Sequence, residues 1–108
     1  MSLIYEVNLE VNDSIVAHFS DWLTNHIQEM LKFEGFNSAQ WYSRQNLDEE
    51  NHNPVQLWTI HYQLSDREAY EHYILNHAES MRTDGLNRFG GQFQAYRRLL
   101  YRESTYAL

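Results

Sequence analysis

Histidine is the residue type best placed to do chemistry in this 108-residue chain, which has six histidines and no cysteine. Two of them stand out by spacing. On a helical wheel His26 falls between Ile15 and Phe19, and His77 falls between Tyr73 and Tyr70, so each sits near the centre of an apolar helix face. Both imidazoles are therefore expected to aim at a sheet. A polar ring there costs on the order of 1 to 3 kcal/mol unless something bonds it. Partners would come from the inward strand faces: Tyr5, Trp58, Tyr62 and Arg97. One reading is a helix–sheet cleft in which His26 and His77 act as acid or base beside an aromatic wall. The other is a pair of satisfied core histidines.

Other chemistries find less support. No HxxxH pair occurs, and the Glu68/His72 neighbours are of a kind common on solvated helix faces, so neither a metal nor another cofactor is expected. The absence of cysteine excludes disulfides and thiol nucleophiles. Gly90-Gly91 lacks phosphate-loop spacing and leads into a strand, and there is no GxSxG elbow. Arg82, Asp84 and Arg88 read as an ion-pair network beside a loop. Arg97 and Arg98 must point to opposite sides of a strand, and Phe93, Ala95, Leu99 and Tyr101 assign Arg97 inward and Arg98 outward; an inward Arg97 would bind a carboxylate, or else reach solvent past its neighbours at the sheet edge.

The elements that would position these groups follow from periodicity. Leu3 to Val11 alternates as a strand, and Asn12, Asp13 and Ser14 offer caps for a helix from Ile15 to about Phe33, closed by Gly35. Phe36 to Gln45 reads as a second strand and Asn46 to Pro54 as a hairpin loop. Val55 to Leu64 is the third strand. Ser65-Asp66-Arg67-Glu68 has capping-box form and opens a second helix, with a break expected near Thr83-Asp84-Gly85. A turn at Gly90-Gly91 then launches the last strand, Gln92 to Arg102. The order βαββαβ predicts a single ferredoxin-like α+β domain over 1–108, its sheet four-stranded and antiparallel with strands one and three central.

Such a sheet leaves one face uncovered. Its expected residues are Ile4, Glu6, Asn8, Glu10, Trp41, Leu57, His61, Tyr96, Arg98 and Leu100, too apolar a set for a solvated surface. A second copy packed sheet to sheet would bury them, with Glu6 or Glu10 meeting Arg98 across a two-fold axis. The alternative is an amphipathic exposed face with a local cross-strand ion pair. The net charge of −7 opposes nucleic acid and anionic membrane as partners, and six protonated histidines would bring it to −1. Tryptophans and tyrosines on a sheet could stack bases, but Glu6 and Glu10 oppose that. MSLIYEVNLEV enters a strand with no basic leader, and no apolar run approaches the ~18 residues of a spanning helix, so a cytoplasmic protein is expected.

The segments IYEVNLEV, WLTNHIQEML, GFNSAQWY and NHAESMRTDGLNRFGGQFQAYRRLL resemble the bacterial family called domain of unknown function 4286, most specifically at RFGGQF. That family is similar in turn to the dimeric α+β barrel group, in which two ferredoxin-like chains pack their sheets together. The resemblance implies a homodimer. It carries over no site residues, because the wider group spans cofactor-free monooxygenases, haem-degrading enzymes, isomerases and binding proteins. Three functions stay open: small-molecule binding in the helix–sheet cleft, a cofactor-independent monooxygenase- or isomerase-like enzyme, and a structural dimer with no pocket.

Overall fold

The computed structural model describes residues 2–50 and 54–108. The first strand, β1 (Leu3–Asn12), buries Leu3, Tyr5, Leu9 and Val11 on one face, as its alternation requires. The Asn12 side chain accepts from the Ser14 backbone N–H, and a single 3-10 turn leads into α1 (Val16–Met30). Phe19, Leu23 and Met30 are the fully buried side of α1. Beyond it Gly35 takes φ 82, and a Cβ there would stand 2.4 Å from the Ala69 Cβ. Left-handed backbone and close approach both demand glycine at this turn.

The hairpin strands are β2 (Phe36–Ser43) and β3 (Val55–Leu64). Of the loop expected between them, residues 51–53 lie outside the described residues. After β3 come α2 (Arg67–Asn76) and α3 (Ala78–Phe89), then a 3-10 turn over Gly90–Gln92, then β4 (Phe93–Tyr101). The sheet order is β2-β3-β1-β4 with every neighbour antiparallel. The helices pack on the face carrying Tyr5, Ile60 and Tyr62. This is the expected α+β ferredoxin-like fold.

Three local expectations are corrected. The cap of α2 is Asp66, whose carboxylate accepts from Ala69 N–H at 2.9 Å, while Ser65 bonds Asn37, so the capping box starting at Ser65 does not form. The helix breaks at His77, where φ −132 and ψ −28 leave the helical region, and α3 runs unbroken through Thr83, Asp84 and Gly85. Gly85 is a packing residue: a Cβ there would sit 3.0 Å from Trp22 Cη2. The third correction concerns β2. A bulge between Phe36 and Ser38 sets two residues against one of β3, so the face reverses after Phe36. Trp41 consequently pairs with Ile60 on the helix side, where its ring meets Trp58 edge-on at 4.9 Å. It is not on the open face, which carries Tyr42 and Arg44 instead.

Candidate functional site

A cavity of about 50 Å³ lies between α1, α3 and the sheet. Its floor is a row across three strands, Ile60 of β3, Val7 of β1 and Arg97 of β4, because Val7 pairs with both neighbours. Tyr5 and Tyr62 form the next row, their rings stacked at 5.9 Å. α1 supplies Phe19, Trp22 and His26, α2 supplies Tyr73, and α3 supplies Met81 and Arg82. Arg82 spans the cavity and donates from Nη2 to the Tyr5 hydroxyl at 3.1 Å.

The wall is aromatic, and its titratable groups are displaced accordingly. Burial pushes His26 down to about 4, with Asp84 opposing and Arg97 adding to the shift. The imidazole is therefore neutral at physiological pH and able to accept a proton. Its ring nitrogens have no hydrogen-bond partner among the described residues, and the ring stacks on Trp22 at 4.6 Å. Burial and the neighbouring Tyr5 raise Tyr73 to about 12 against the opposing pull of Arg82 and Arg97. Tyr62 is raised for the same reason, burial first. The phenols of Tyr62 and Tyr73, held protonated, a neutral imidazole and two guanidiniums thus share one small space.

Outside the cavity runs an open groove lined by His18, Asp21, Asn25, Glu29 and Arg88. Trp22, His26 and Met81 belong to both walls. Trp22 is pinned by a 2.8 Å hydrogen bond from its Nε1 to Asp84, which also accepts from Arg88 at 3.1 Å. The Trp22 ring therefore bridges α1 and α3 across the mouth of the cavity.

The six expected cleft residues separate into two groups. His26, Tyr5, Tyr62 and Arg97 line the cavity; His77 and Trp58 do not. His77 occupies the corner between α2 and α3 and stacks on Phe33 at 4.2 Å, because the helix ends one residue before it. Trp58 pairs with Leu9, further along the sheet, and packs against Trp41 and Phe19. Arg82 was missed as a lining residue. With α3 starting at Ala78, positions 78, 81, 82, 85 and 89 form one stripe, and Arg82 is the charged member of an otherwise apolar or glycine set.

The open face holds a polar network rather than a bare apolar surface. Glu6, only 4% exposed, accepts from Arg98 Nε at 2.7 Å and Asn8 Nδ2 at 2.7 Å, and its other oxygen lies 2.8 Å from His61 Nε2. Burial alone would raise Glu6, but the hydrogen bonds from Arg98, Asn8 and His61 outweigh it and hold the carboxyl at about 2. Thr59 donates to Asn8 Oδ1 at 2.7 Å, and Arg44 donates to Asn8 and Thr59 at 3.2 and 3.0 Å. The expected pairing of Glu6 or Glu10 with Arg98 across a two-fold is thereby corrected. Glu6 and Arg98 are register partners on adjacent strands and meet within one chain. Glu10 lies opposite Leu57 and Gln94. Around the network Tyr96 (53%) and Tyr42 (48%) stay exposed, and Leu100 is half-buried. No group of three potential metal ligands occurs among the described residues, and no helix is long and apolar enough to cross a membrane.

Comparison with known proteins follows the same lines. The sequence model of a family described as a domain of unknown function (DUF4286) matches residues 2–103. No curated protein matches. Among solved structures, the cofactor-independent oxygenase SnoaB of Streptomyces nogalater superposes with TM-score 0.66 at 10% identity, covering 96% of this chain and 95% of that one. A candidate antibiotic biosynthesis monooxygenase of Deinococcus radiodurans gives TM-score 0.71 at 11% identity, covering 98% and 97%. A dimeric ferredoxin-like protein from an uncultured marine organism gives 0.60 at 19% identity, covering 95% and 98%. At these identities the likeness establishes the fold alone.

Proposed function

Since the chain belongs to the DUF4286 family, whose description names no activity, we propose a function from geometry: it binds a small molecule in the helix–sheet cavity. One observation carries this reading. Inside an aromatic wall, the Arg82 Nε–H is buried without a hydrogen-bond partner among the described residues, beside a His26 that also reaches the open outer groove. A core built only for stability would satisfy or omit such groups. The test is an NMR titration with small aromatic and carboxylic fragments at millimolar concentration. Shifts confined to Tyr5, Trp22, His26 and Tyr62 support the site, and an unperturbed set of these resonances overturns it.

A cofactor-independent enzyme is the second reading, with His26, an imidazole kept neutral by burial beside the aromatic wall, as the candidate proton acceptor. The structural neighbour SnoaB is described as a cofactor-independent oxygenase. For any ligand that is turned over, His26→Gln would remove turnover with folding intact. Retained turnover would leave the binding reading alone.

The assembly we propose is a homodimer packed through the open face of the sheet. Tyr42, Tyr96 and Leu100 surround a polar network in which Glu6 is already paired with Arg98 within the chain, so a second copy would bury apolar area around a satisfied carboxylate. The marine relative is described as dimeric. Sedimentation at micromolar concentration should give a species near twice the chain mass of 13.0 kDa; a stable monomer would refute the dimer.

A further inference from the structure

We infer that the cavity is selective for a carboxylate, held by Arg82 and Arg97 on the sheet side of Trp22 and His26. The inference rests on the cavity being a ligand site and adds the chemistry of what enters it.

Arg82 Nε is a buried donor with no hydrogen-bond partner, the sole such side-chain atom found among the described residues. The same guanidinium already donates from Nη2 to Tyr5, so its free capacity includes the Nε–H. Arg97 lines the same cavity from β4. Neither arginine has a carboxylate within ion-pair distance among the described residues, whereas Arg67, Arg88 and Arg98 each have one. Asp84, the acid nearest the mouth, is occupied by Trp22 and Arg88.

The remaining lining groups do not balance this charge. Tyr73 and Tyr62 are held protonated by burial, and His26 is neutral. The buried, unpartnered Arg82 edge, with the solvent-exposed Arg97 guanidinium lining the same aromatic cavity, fits an anion, and the forked Nε–H/Nη–H edge of an arginine matches a planar two-oxygen anion. The 50 Å³ space takes a group of roughly three to five heavy atoms, the size of a carboxylate with a short stem. A longer body would emerge past Trp22 and His26 into the outer groove, where those residues already form part of the wall.

The test compares two probes of equal shape, propionate and propionamide, titrated at constant ionic strength with sodium chloride as the balancing salt. The readouts are the Arg82 Nε–H resonance and the Tyr5 and Trp22 ring resonances. Propionate should move the Arg82 Nε–H signal saturably and bind at least about tenfold more tightly than propionamide. Arg82→Met should erase that preference, bringing the two affinities together. Should Arg82→Met fail to fold, Arg97→Met and the wild-type Nε–H signal carry the same comparison. Equal affinity for the two probes would overturn the carboxylate inference and leave the cavity as a ligand site. Failure of both probes and of all other fragments to move the cavity resonances would overturn the inference and the proposed function together.

Discussion

Replacing Glu6 by glutamine removes the charge on which Arg98, Asn8 and His61 converge. Held at about 2 instead of 4.5, the carboxylate contributes roughly 3 kcal/mol at neutral pH, at 1.36 kcal/mol per pH unit. The Arg98 side chain is 59% exposed, and solvent screening of that partner brings the expectation down to about 2 kcal/mol. The sign follows from proton uptake. The unfolded chain takes a proton near pH 4.5 while the folded chain resists until about 2, so the contribution is complete above pH ~5 and disappears as pH falls through 2. Urea unfolding of wild type and Glu6→Gln should be followed from pH 7 to pH 2 at one fixed protein concentration, because association would shift apparent stability. The difference between the two proteins isolates this group from the other acids. It should be about 2 kcal/mol at pH 7 and shrink steadily below pH 5. A difference that is absent at pH 7, or constant over the whole range, would refute the network as the source of the stability.

His26 should titrate near pH 4 by NMR. Because the unfolded imidazole takes its proton near 6.5, wild-type stability should fall as pH drops from 6.5 to 4 by up to about 3 kcal/mol. His26→Gln should flatten that part of the curve, and a midpoint near 6.5 would contradict the burial argument. Gly35→Ala combines φ 82 with a contact of 2.4 Å to Ala69 Cβ, so thermal unfolding should show a loss of about 2 to 4 kcal/mol. A loss under 1 kcal/mol would mean that α2 can slide away from this turn.

The legible part of this molecule was whatever a period announces. Leu3 to Val11 alternates, and its buried apolar residues are ones that alternation names, though Glu6 and Asn8 of the other face are buried too. Arg97 and Arg98 divide the faces of β4 as their neighbours require. Two events that leave no period behind defeated the same method. The bulge at Phe36/Ser38 reversed Trp41, because one unpaired residue shifts every side chain after it. The break at His77 moved two groups at once, taking His77 away from the sheet and turning Arg82 toward it. Gly85 misled because glycine marks breaks more often than it marks a neighbouring ring. Here the neighbour is Trp22, 62 residues before Asp84 in the chain, and local pattern carries no trace of it.

The same bulge bears on how copies of the chain can meet. β2 and β4 are the rims of the sheet, and a rim with regular backbone is a template for any passing strand. On β2 the irregularity at Phe36/Ser38 interrupts the pairing geometry near one end of the rim, so an incoming strand cannot match it along its full length. On β4 the adjacent Arg97 and Arg98 place like charges in the middle of the rim, where a second copy laid antiparallel would meet its own arginines. Each rim is thus guarded by a different device, one of shape and one of charge. Edge-to-edge growth into fibres is discouraged at both, leaving the broad face of the sheet as the surface on which a second chain can settle.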